Sequence, residues 1–115
     1  MKKIYFLKTC DTSMRILKSI NLDGFELQEI KTNPLRVNQL EEMQKLSGSY
    51  EALFSRRAKK YKQMDLKNQE LSEKDYRQLI LDEYTFLKRP VIIINDKIFI
   101  GNSKKNVESL QVTIK

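Results

Sequence analysis

The only cysteine of the chain, Cys10, is the side chain best suited to chemistry. It follows an apolar run at residues 3–7 and precedes a segment with helical periodicity, so we expect it at the start of a helix. The helix dipole and the unpaired amides there favour a thiolate, and a free cysteine already titrates near about pH 8.5. Cys10 is therefore a candidate nucleophile. The alternative is an inert buried cysteine, because free cysteine is among the most buried residue types.

Two hydroxyl side chains, Thr12 and Ser13, follow the cysteine directly. Together with the backbone amides of residues 11–13, they could bind an oxyanion at the start of the helix. Ser13 also stands where a C-x-x-C motif has its second cysteine, so an internal disulfide cannot form there. Turnover through a mixed disulfide at Cys10 therefore needs an external thiol.

The chain has no histidine and a single cysteine, which excludes several classes of site. It cannot form an internal disulfide, a zinc site of the usual Cys/His kind, a Ser-His-Asp triad or a Cys-His pair. We expect no bound metal and no bound cofactor. A lone thiol persists best in a reducing compartment, so the sequence predicts a cytoplasmic protein.

Pro90 has an unusual position, because it stands directly before an apolar strand at residues 91–94. Proline removes a donor from a sheet ladder. A cis peptide in a turn that faces Cys10 explains its presence, and we expect Pro90 to be a structural cis-proline. A trans proline at the first residue of a strand is the alternative.

The net charge of +7 indicates a possible anionic partner. The densest basic cluster is residues 56–62, with Arg56, Arg57 and a single aromatic residue, Tyr61. One aromatic side chain gives poor support for base stacking, so we expect no direct contact with nucleic acid. An oxyanion site and a solvated helix end both stay open as interpretations of this cluster.

Apolar runs are short throughout the sequence. The basic start is followed only by the apolar residues 4–7, whereas a secretory signal needs about 7–15 apolar residues. The longest later run, residues 91–94, is far shorter than a membrane span. We expect neither a signal peptide nor a membrane association.

The elements that would position these side chains begin with a strand at residues 3–7. A helix follows at about residues 12–20, capped by Asp11 or Thr12. After a turn, apolar and polar residues alternate in a second strand that ends at Ile30. Strand, helix and strand in this order predict a right-handed parallel βαβ unit.

Residues 35–87 form a predicted helical insertion between the second and third strands. Apolar residues recur at helical spacing from Val37, and Gly48 is a typical helix stop. Ser72 and Asp75 resemble a capping box. The helix that this box opens carries an apolar set formed by Tyr76, Leu79, Ile80, Tyr84 and Leu87.

The end of the chain is predicted as a β-hairpin followed by a helix. Residues 91–94 are apolar throughout, an Asn-Asp dipeptide supplies the turn, and residues 98–100 form the return strand. Residues 104–112 have helical periodicity. This order predicts a single α/β domain over residues 1–115, with a four-stranded sheet and helices on both of its faces.

Several segments together match the pattern of one known family. The most specific is residues 87–93, where an arginine and a proline precede the apolar strand. The chain resembles the arsenate reductase/Spx family over nearly its full length, and the resemblance implies a thioredoxin-like fold with a mixed sheet flanked by helices. Cys10 and its neighbours are similar to the nucleophile segment of the monothiol reductases. The matching segments are residues 4–5, 9–13, 53–57 and 87–93, with Tyr61, Leu66 and Gly101.

The resemblance implies a thiol-dependent oxidoreductase, in which Cys10 attacks arsenate or a related oxyanion or disulfide. Glutathione and glutaredoxin would be the external reductant. It further implies that Arg89, beside the cis proline, binds the oxyanion, since a planar guanidinium matches a tetrahedral oxyanion with two hydrogen bonds. Thr12, Ser13 and Arg57 complete the expected oxyanion-binding set. We expect a monomer whose partners are a small oxyanion or thiol substrate and glutaredoxin.

Some positions depart from the reductase pattern. Met14 stands where reductases have an arginine, and Arg15 comes one residue later, a rotation of about 100° on a helix. Gly101 and Phe6 stand where reductases have an arginine and a histidine. Two alternatives follow: a Spx-like regulator that binds RNA polymerase, and a family member without arsenate reductase activity. Arg57 aligns with an arginine of the Spx-like branch.

Overall fold

The computed structural model describes residues 1–114. The chain divides into two compact units. The first consists of Met1–Pro34 together with the chain from Arg89 onward, and the second is Leu35–Lys88. The segment expected to form a helical insertion corresponds to this second unit. The single domain over residues 1–115 stays a prediction.

The first unit is built on a mixed four-stranded sheet in the order β2-β1-β3-β4. Strand β1 pairs with β2 in parallel and with β3 in antiparallel orientation, and β3 pairs with β4 as a hairpin. The predicted parallel βαβ unit and the predicted hairpin are therefore confirmed. The bounds are β1 Lys2–Phe6, α1 Asp11–Lys18, β2 Glu26–Glu29, β3 Val91–Ile94, β4 Lys97–Ile100 and, after the second unit's helices, α5 Lys104–Ile114.

A hydrophobic core joins one face of the sheet to α1 and α5. Ile4 pairs with Ile92 across neighbouring strands, and Ile16 and Leu17 project from one side of α1. Burying each such side chain contributes about 1.5–3 kcal/mol, so the core fixes α1 on the sheet. The position of the first residues of α1 follows from this packing. The buried residues of this core are Ile4, Ile16, Leu17, Ile92, Phe99 and Leu110.

The edge strand β2 places a polar side chain in the interior. Gln28 is 3% exposed, whereas Leu27 is 46% exposed. The Gln28 amide donates to the carbonyls of Asn33 at 3.1 Å and Pro34 at 3.4 Å. These hydrogen bonds offset the cost of burying a polar group, and they hold the chain after β2 close to the sheet.

The second unit is helical, with α2 Val37–Ser47, α3 Lys59–Gln63 and α4 Glu73–Asp82. Gly48 ends α2 with φ of 94°, a left-handed conformation that glycine adopts without strain. The predicted capping box of α4 is present, because the Ser72 hydroxyl accepts a hydrogen bond from the Asp75 amide at 3.3 Å. Both helix boundaries thus follow the sequence prediction.

Helix α4 ends at Asp82, so the prediction that it continues to Leu87 is wrong. Glu83 leaves the helical region with φ of −141° and ψ of 109°, and a short 3-10 turn follows at Tyr84–Phe86. This turn buries Phe86 against Phe54, with ring centroids 5.0 Å apart. Packing of these two rings within the second unit therefore overrides the helical spacing of the apolar residues.

Candidate functional site

Cys10 is the N-cap of α1. Its backbone is extended, with φ of −93° and ψ of 103°. Its amide donates to the Leu7 carbonyl at 3.0 Å, and its carbonyl accepts from the Met14 amide at 3.1 Å. The turn to Leu7 keeps Cys10 extended, so helical geometry begins at Asp11, and the prediction that Asp11 or Thr12 caps the helix is wrong. The half-buried sulfur consequently stands at the positive end of α1.

Ser13 lies on the first turn of α1 and is fully buried, with 0% of its surface exposed. Within residues 1–114, no oxygen or nitrogen accepts a hydrogen bond from its hydroxyl. Both the hydroxyl and the amide of Ser13 act instead as donors toward the sulfur of Cys10. A neutral thiol is a weak acceptor, so these donors favour the thiolate.

The antiparallel pairing of β1 and β3 brings Arg89 to the same place. Tyr5 pairs with Val91, so the chain before Val91 runs beside the chain that leads from β1 to Cys10. The peptide bond between Arg89 and Pro90 is cis, the isomer expected from the sequence. From this position the guanidinium of Arg89 supplies a hydrogen bond and a positive charge at the sulfur.

The pKa of the Cys10 thiol lies below its ordinary value. Burial alone raises this pKa, but the hydrogen bonds from Ser13 and the hydrogen bond and charge of Arg89 together outweigh burial. Cys10 therefore carries more thiolate at neutral pH than an unperturbed cysteine. Only the thiolate is a good nucleophile, so this electrostatic environment suits covalent chemistry at the sulfur.

Glu29 stabilises the loop that carries Cys10, a role that the sequence analysis missed. One carboxylate oxygen accepts from the Lys8 amide at 2.9 Å. The other accepts from the amides of Lys31 at 3.0 Å and Thr32 at 2.9 Å, and from the Thr32 hydroxyl at 3.1 Å. Parallel pairing of Phe6 with Glu29 puts this carboxylate beside the end of β1. The sequence signal that could have predicted this role is an acidic residue at the end of a strand parallel to β1.

Thr12 and Arg15 lie along a groove between α1 and α5, whose lining residues do not include Cys10, Ser13 or Arg89. Arg15 points in a different direction from the side chain at position 14, in agreement with the rotation of about 100° per residue on a helix. Met14 packs against the hydrophobic core. The oxyanion-binding role of Thr12 stays a prediction.

The two arginines of the basic cluster belong to the second unit and differ in their contacts. Arg56 forms an ion pair with Glu51 at 2.8 Å and donates to the Tyr76 hydroxyl at 3.1 Å. The Arg57 side chain is exposed, and its amide donates to the Ser55 hydroxyl at 3.4 Å. The guanidinium of Arg56 is thus occupied by Glu51 and Tyr76. Arg57 stays the predicted oxyanion ligand of this segment.

Neither a metal-binding cluster nor a membrane-spanning helix occurs within residues 1–114. No three His, Cys, Asp or Glu side chains of this part of the chain gather in a way that would hold a metal ion. The longest helices, α2 and α5, have 11 residues each, whereas a span needs about 20 apolar ones.

A protein-family model supports the relationship that the sequence pattern indicates. The model described as the ArsC family matches residues 5–110. This range includes Cys10, the whole second unit and the Arg89–Pro90 segment. No curated protein sequence matches the chain.

Solved structures share the fold over nearly the whole chain. A protein from Staphylococcus aureus COL is 28% identical, with a TM-score of 0.74 and coverage of 95% of this chain and 97% of that one. An arsenate reductase (ArsC) related protein from Brucella melitensis is 22% identical, with a TM-score of 0.70 and coverage of 94% and 92%. An arsenate reductase from Vibrio cholerae is 16% identical, with a TM-score of 0.76 and coverage of 96% of each chain. The mixed sheet flanked by helices is therefore thioredoxin-like, as predicted.

Proposed function

This chain belongs to the ArsC family, and on that basis we propose that it is a thiol-dependent oxidoreductase in which Cys10 attacks arsenate or a related oxyanion or disulfide. In this proposal glutathione and glutaredoxin are the external reductant. The protein acts as a monomer in the cytoplasm, with no bound metal or cofactor.

The observation that carries the proposal is the environment of the Cys10 sulfur. The first turn of α1, the buried Ser13 hydroxyl and the Arg89 guanidinium all favour negative charge there. A cysteine used only for packing needs no such donors, because a neutral thiol is a small apolar group. The arrangement is typical of a cysteine that reacts as a thiolate.

The same groups suit a bound oxyanion. The amides of residues 11–13 at the positive end of α1 can donate to oxygens of a tetrahedral anion. Arg89 can contribute two parallel hydrogen bonds and a positive charge. We assign the substrate oxygens to these amides, to Ser13 and to Arg89, with Thr12 and Arg57 as further proposed ligands.

With arsenate, the reaction proceeds in three displacements. The Cys10 thiolate attacks arsenic(V), a sulfur–arsenic bond forms, and one oxygen takes up protons and leaves as water. The thiolate of glutathione then attacks the Cys10 sulfur; a disulfide bond forms, and the electron pair of the sulfur–arsenic bond stays on arsenic, which leaves as arsenite(III). A glutaredoxin thiolate attacks the glutathione sulfur and releases the Cys10 thiolate. Arsenic gains two electrons, and two external thiols become one disulfide.

Gly101 favours a disulfide as a second candidate substrate. It is buried and has φ of 80°, a conformation that a larger side chain adopts only with strain. The arginine of the reductase pattern therefore has no equivalent at this position. A disulfide needs no second guanidinium, because its attack by Cys10 develops no tetrahedral oxyanion. The Spx-like alternative, with RNA polymerase as partner, rests on Gly101 and Arg57 and stays a prediction.

A steady-state arsenate reduction assay with glutathione and glutaredoxin tests the proposal, with Cys10→Ser measured beside the unmodified protein. We expect turnover that is abolished in Cys10→Ser. Turnover in both proteins would show that Cys10 is not the nucleophile. Turnover in neither would reject arsenate, and the same pair of proteins assayed on a glutathione mixed disulfide then tests the second candidate.

A further inference from the structure

A groove runs along the first unit between α1 and α5. It has a volume of about 320 Å³ and begins at Thr12, and its sides include Arg15, Ile16, Lys104 and Val107. A second cavity of about 490 Å³ continues it toward the end of α1, with Ser19, Glu108 and Gln111 common to both. Pockets for small molecules usually have about 300–1,000 Å³, so the groove is large enough for a compact ligand.

Two cations in the groove are available to a ligand. Within residues 1–114, neither Arg15 nor Lys104 forms an ion pair, whereas Lys3 is paired with Glu26 and Arg56 with Glu51. Glu108 is the one acidic residue that lines this part of the groove, so the lining has a net positive charge. Ile16 and Val107 add apolar surface to the lining of the groove.

The groove also lies close to the candidate nucleophile. Thr12 follows Cys10 by two residues, so their Cα atoms are at most about 7 Å apart. Arg15 is one further turn along the same helix. A molecule with its charged end in the groove could therefore bring another of its atoms to the sulfur of Cys10.

We propose that the α1–α5 groove binds the carboxylates of a small anionic thiol, and that Arg15 and Lys104 are their partners. This inference rests on the proposed function, in which an external thiol attacks the Cys10 sulfur. The bound thiolate forms a disulfide bond with Cys10, and the group previously attached to the sulfur leaves with the electron pair of the broken bond. Two cations and apolar side chains that line one groove match a thiol whose carboxylates are separated by a flexible, partly apolar chain.

The single cysteine makes a direct test possible, because one reagent labels one site. Cys10 is converted to its mixed disulfide with thionitrobenzoate, and release of the coloured thionitrobenzoate anion is followed after addition of either glutathione or β-mercaptoethanol. The test variant is Arg15→Gln with Lys104→Gln. The matched control is Lys18→Gln with Lys105→Gln, which removes the same charge from exposed positions on the same two helices.

We expect the rate constant for glutathione to fall about tenfold in the test variant, as for the loss of two partly exposed ion pairs. The rate constant for the neutral β-mercaptoethanol should be unchanged, and the control variant should match the unmodified protein with both thiols. Added salt should reduce the preference of the unmodified protein for glutathione.

The proposal is overturned if glutathione reacts equally with the test variant and the unmodified protein. An equal fall for both thiols would place the effect on Cys10 itself, and an equal fall in the control variant would indicate a general effect of net charge. Either result also overturns the proposal. No arsenate is used, so a failed arsenate assay beside a positive result here would reject the arsenate substrate alone.

Discussion

The carboxylate of Glu29 accepts a hydrogen bond of 2.9 Å from the amide of Lys8, two residues before the only cysteine. The same carboxylate accepts three further hydrogen bonds from Lys31 and Thr32. It thereby ties the loop after β1 to the loop after β2. The position of Cys10 at the start of α1 thus depends on a residue in another strand.

Glu29→Gln should raise the pKa of the Cys10 thiol and slow its alkylation at neutral pH several-fold. An amide offers one acceptor oxygen in place of two, so part of this hydrogen-bonded loop is lost, and stability should fall by about 1–2 kcal/mol. Glu26→Gln is the matched control on the same strand. It removes the 2.6 Å partner of the buried Lys3 and also lowers stability, but it does not touch the loop, so the alkylation profile should stay unchanged.

The pH dependence of stability should carry the contribution of Glu29. Burial raises the pKa of this carboxyl, but the amides of Lys8, Thr32 and Lys31 and the Thr32 hydroxyl outweigh burial and lower it. A lowered folded-state pKa means that the stabilisation is present above the unfolded-state pKa and is lost as pH falls through the folded-state value. Denaturant titrations should therefore show a smaller acid-side loss of stability in Glu29→Gln, and equal acid-side slopes would contradict this.

Ser13→Ala should have opposite effects on reactivity and on stability. Loss of the hydroxyl donor should raise the pKa of Cys10 and slow alkylation, as measured by iodoacetamide rates against pH. Below the pKa of the thiol, stability should be equal or rise by up to about 1 kcal/mol, because a buried hydroxyl whose one acceptor is then a weakly accepting neutral thiol is replaced by an apolar group. Ser19→Ala, at the other end of α1, is the control, since its hydroxyl donates to the Ile16 carbonyl at 2.7 Å. A fall in reactivity in this control would mean that any change to α1 disturbs Cys10.

Arg89 should separate charge from geometry. Arg89→Gln should raise the pKa of Cys10. It should also abolish the protection that bound arsenate gives the thiol against an alkylating reagent. Arg89→Lys should restore most of the thiolate, because the charge is kept, but recover little of the arsenate protection, because an ammonium group cannot form the parallel pair of hydrogen bonds. If arsenate protects the thiol of the lysine variant as well as that of the unmodified protein, Arg89 acts through charge alone.

Arg56→Gln and Arg57→Gln should give contrasting results. Arg56→Gln should lower stability by about 1 kcal/mol or less, since its ion pair with Glu51 is about half exposed, with side-chain exposures of 47% and 55%. It should leave arsenate protection of Cys10 unchanged. Arg57→Gln should leave stability unchanged and weaken the protection. If arsenate protection is weakened in Arg56→Gln instead, Arg56 and not Arg57 is the oxyanion ligand.

Much of the local structure followed from neighbouring residues alone. The capping box at Ser72, the helix stop at Gly48 and the hairpin after β3 all depend on contacts within a few positions. Helical and alternating periodicity likewise located the strands and helices of the first unit. The cysteine at the start of a helix was predictable because strand and helix adjoin it directly.

The residue types alone dictate that one thiol, without histidine, must supply any cysteine chemistry, and the hairpin segment was enough to indicate the fold. The tertiary structure decided which donors surround the sulfur: the buried Ser13 hydroxyl, and Arg89, which pairing of β1 with β3 brings in from 79 positions away. It also decided that Glu29 holds the loop and that Arg56 is bound to Glu51. These outcomes depend on burial and on hydrogen-bond or ion-pair partners from other elements. A local sequence pattern contains neither kind of information.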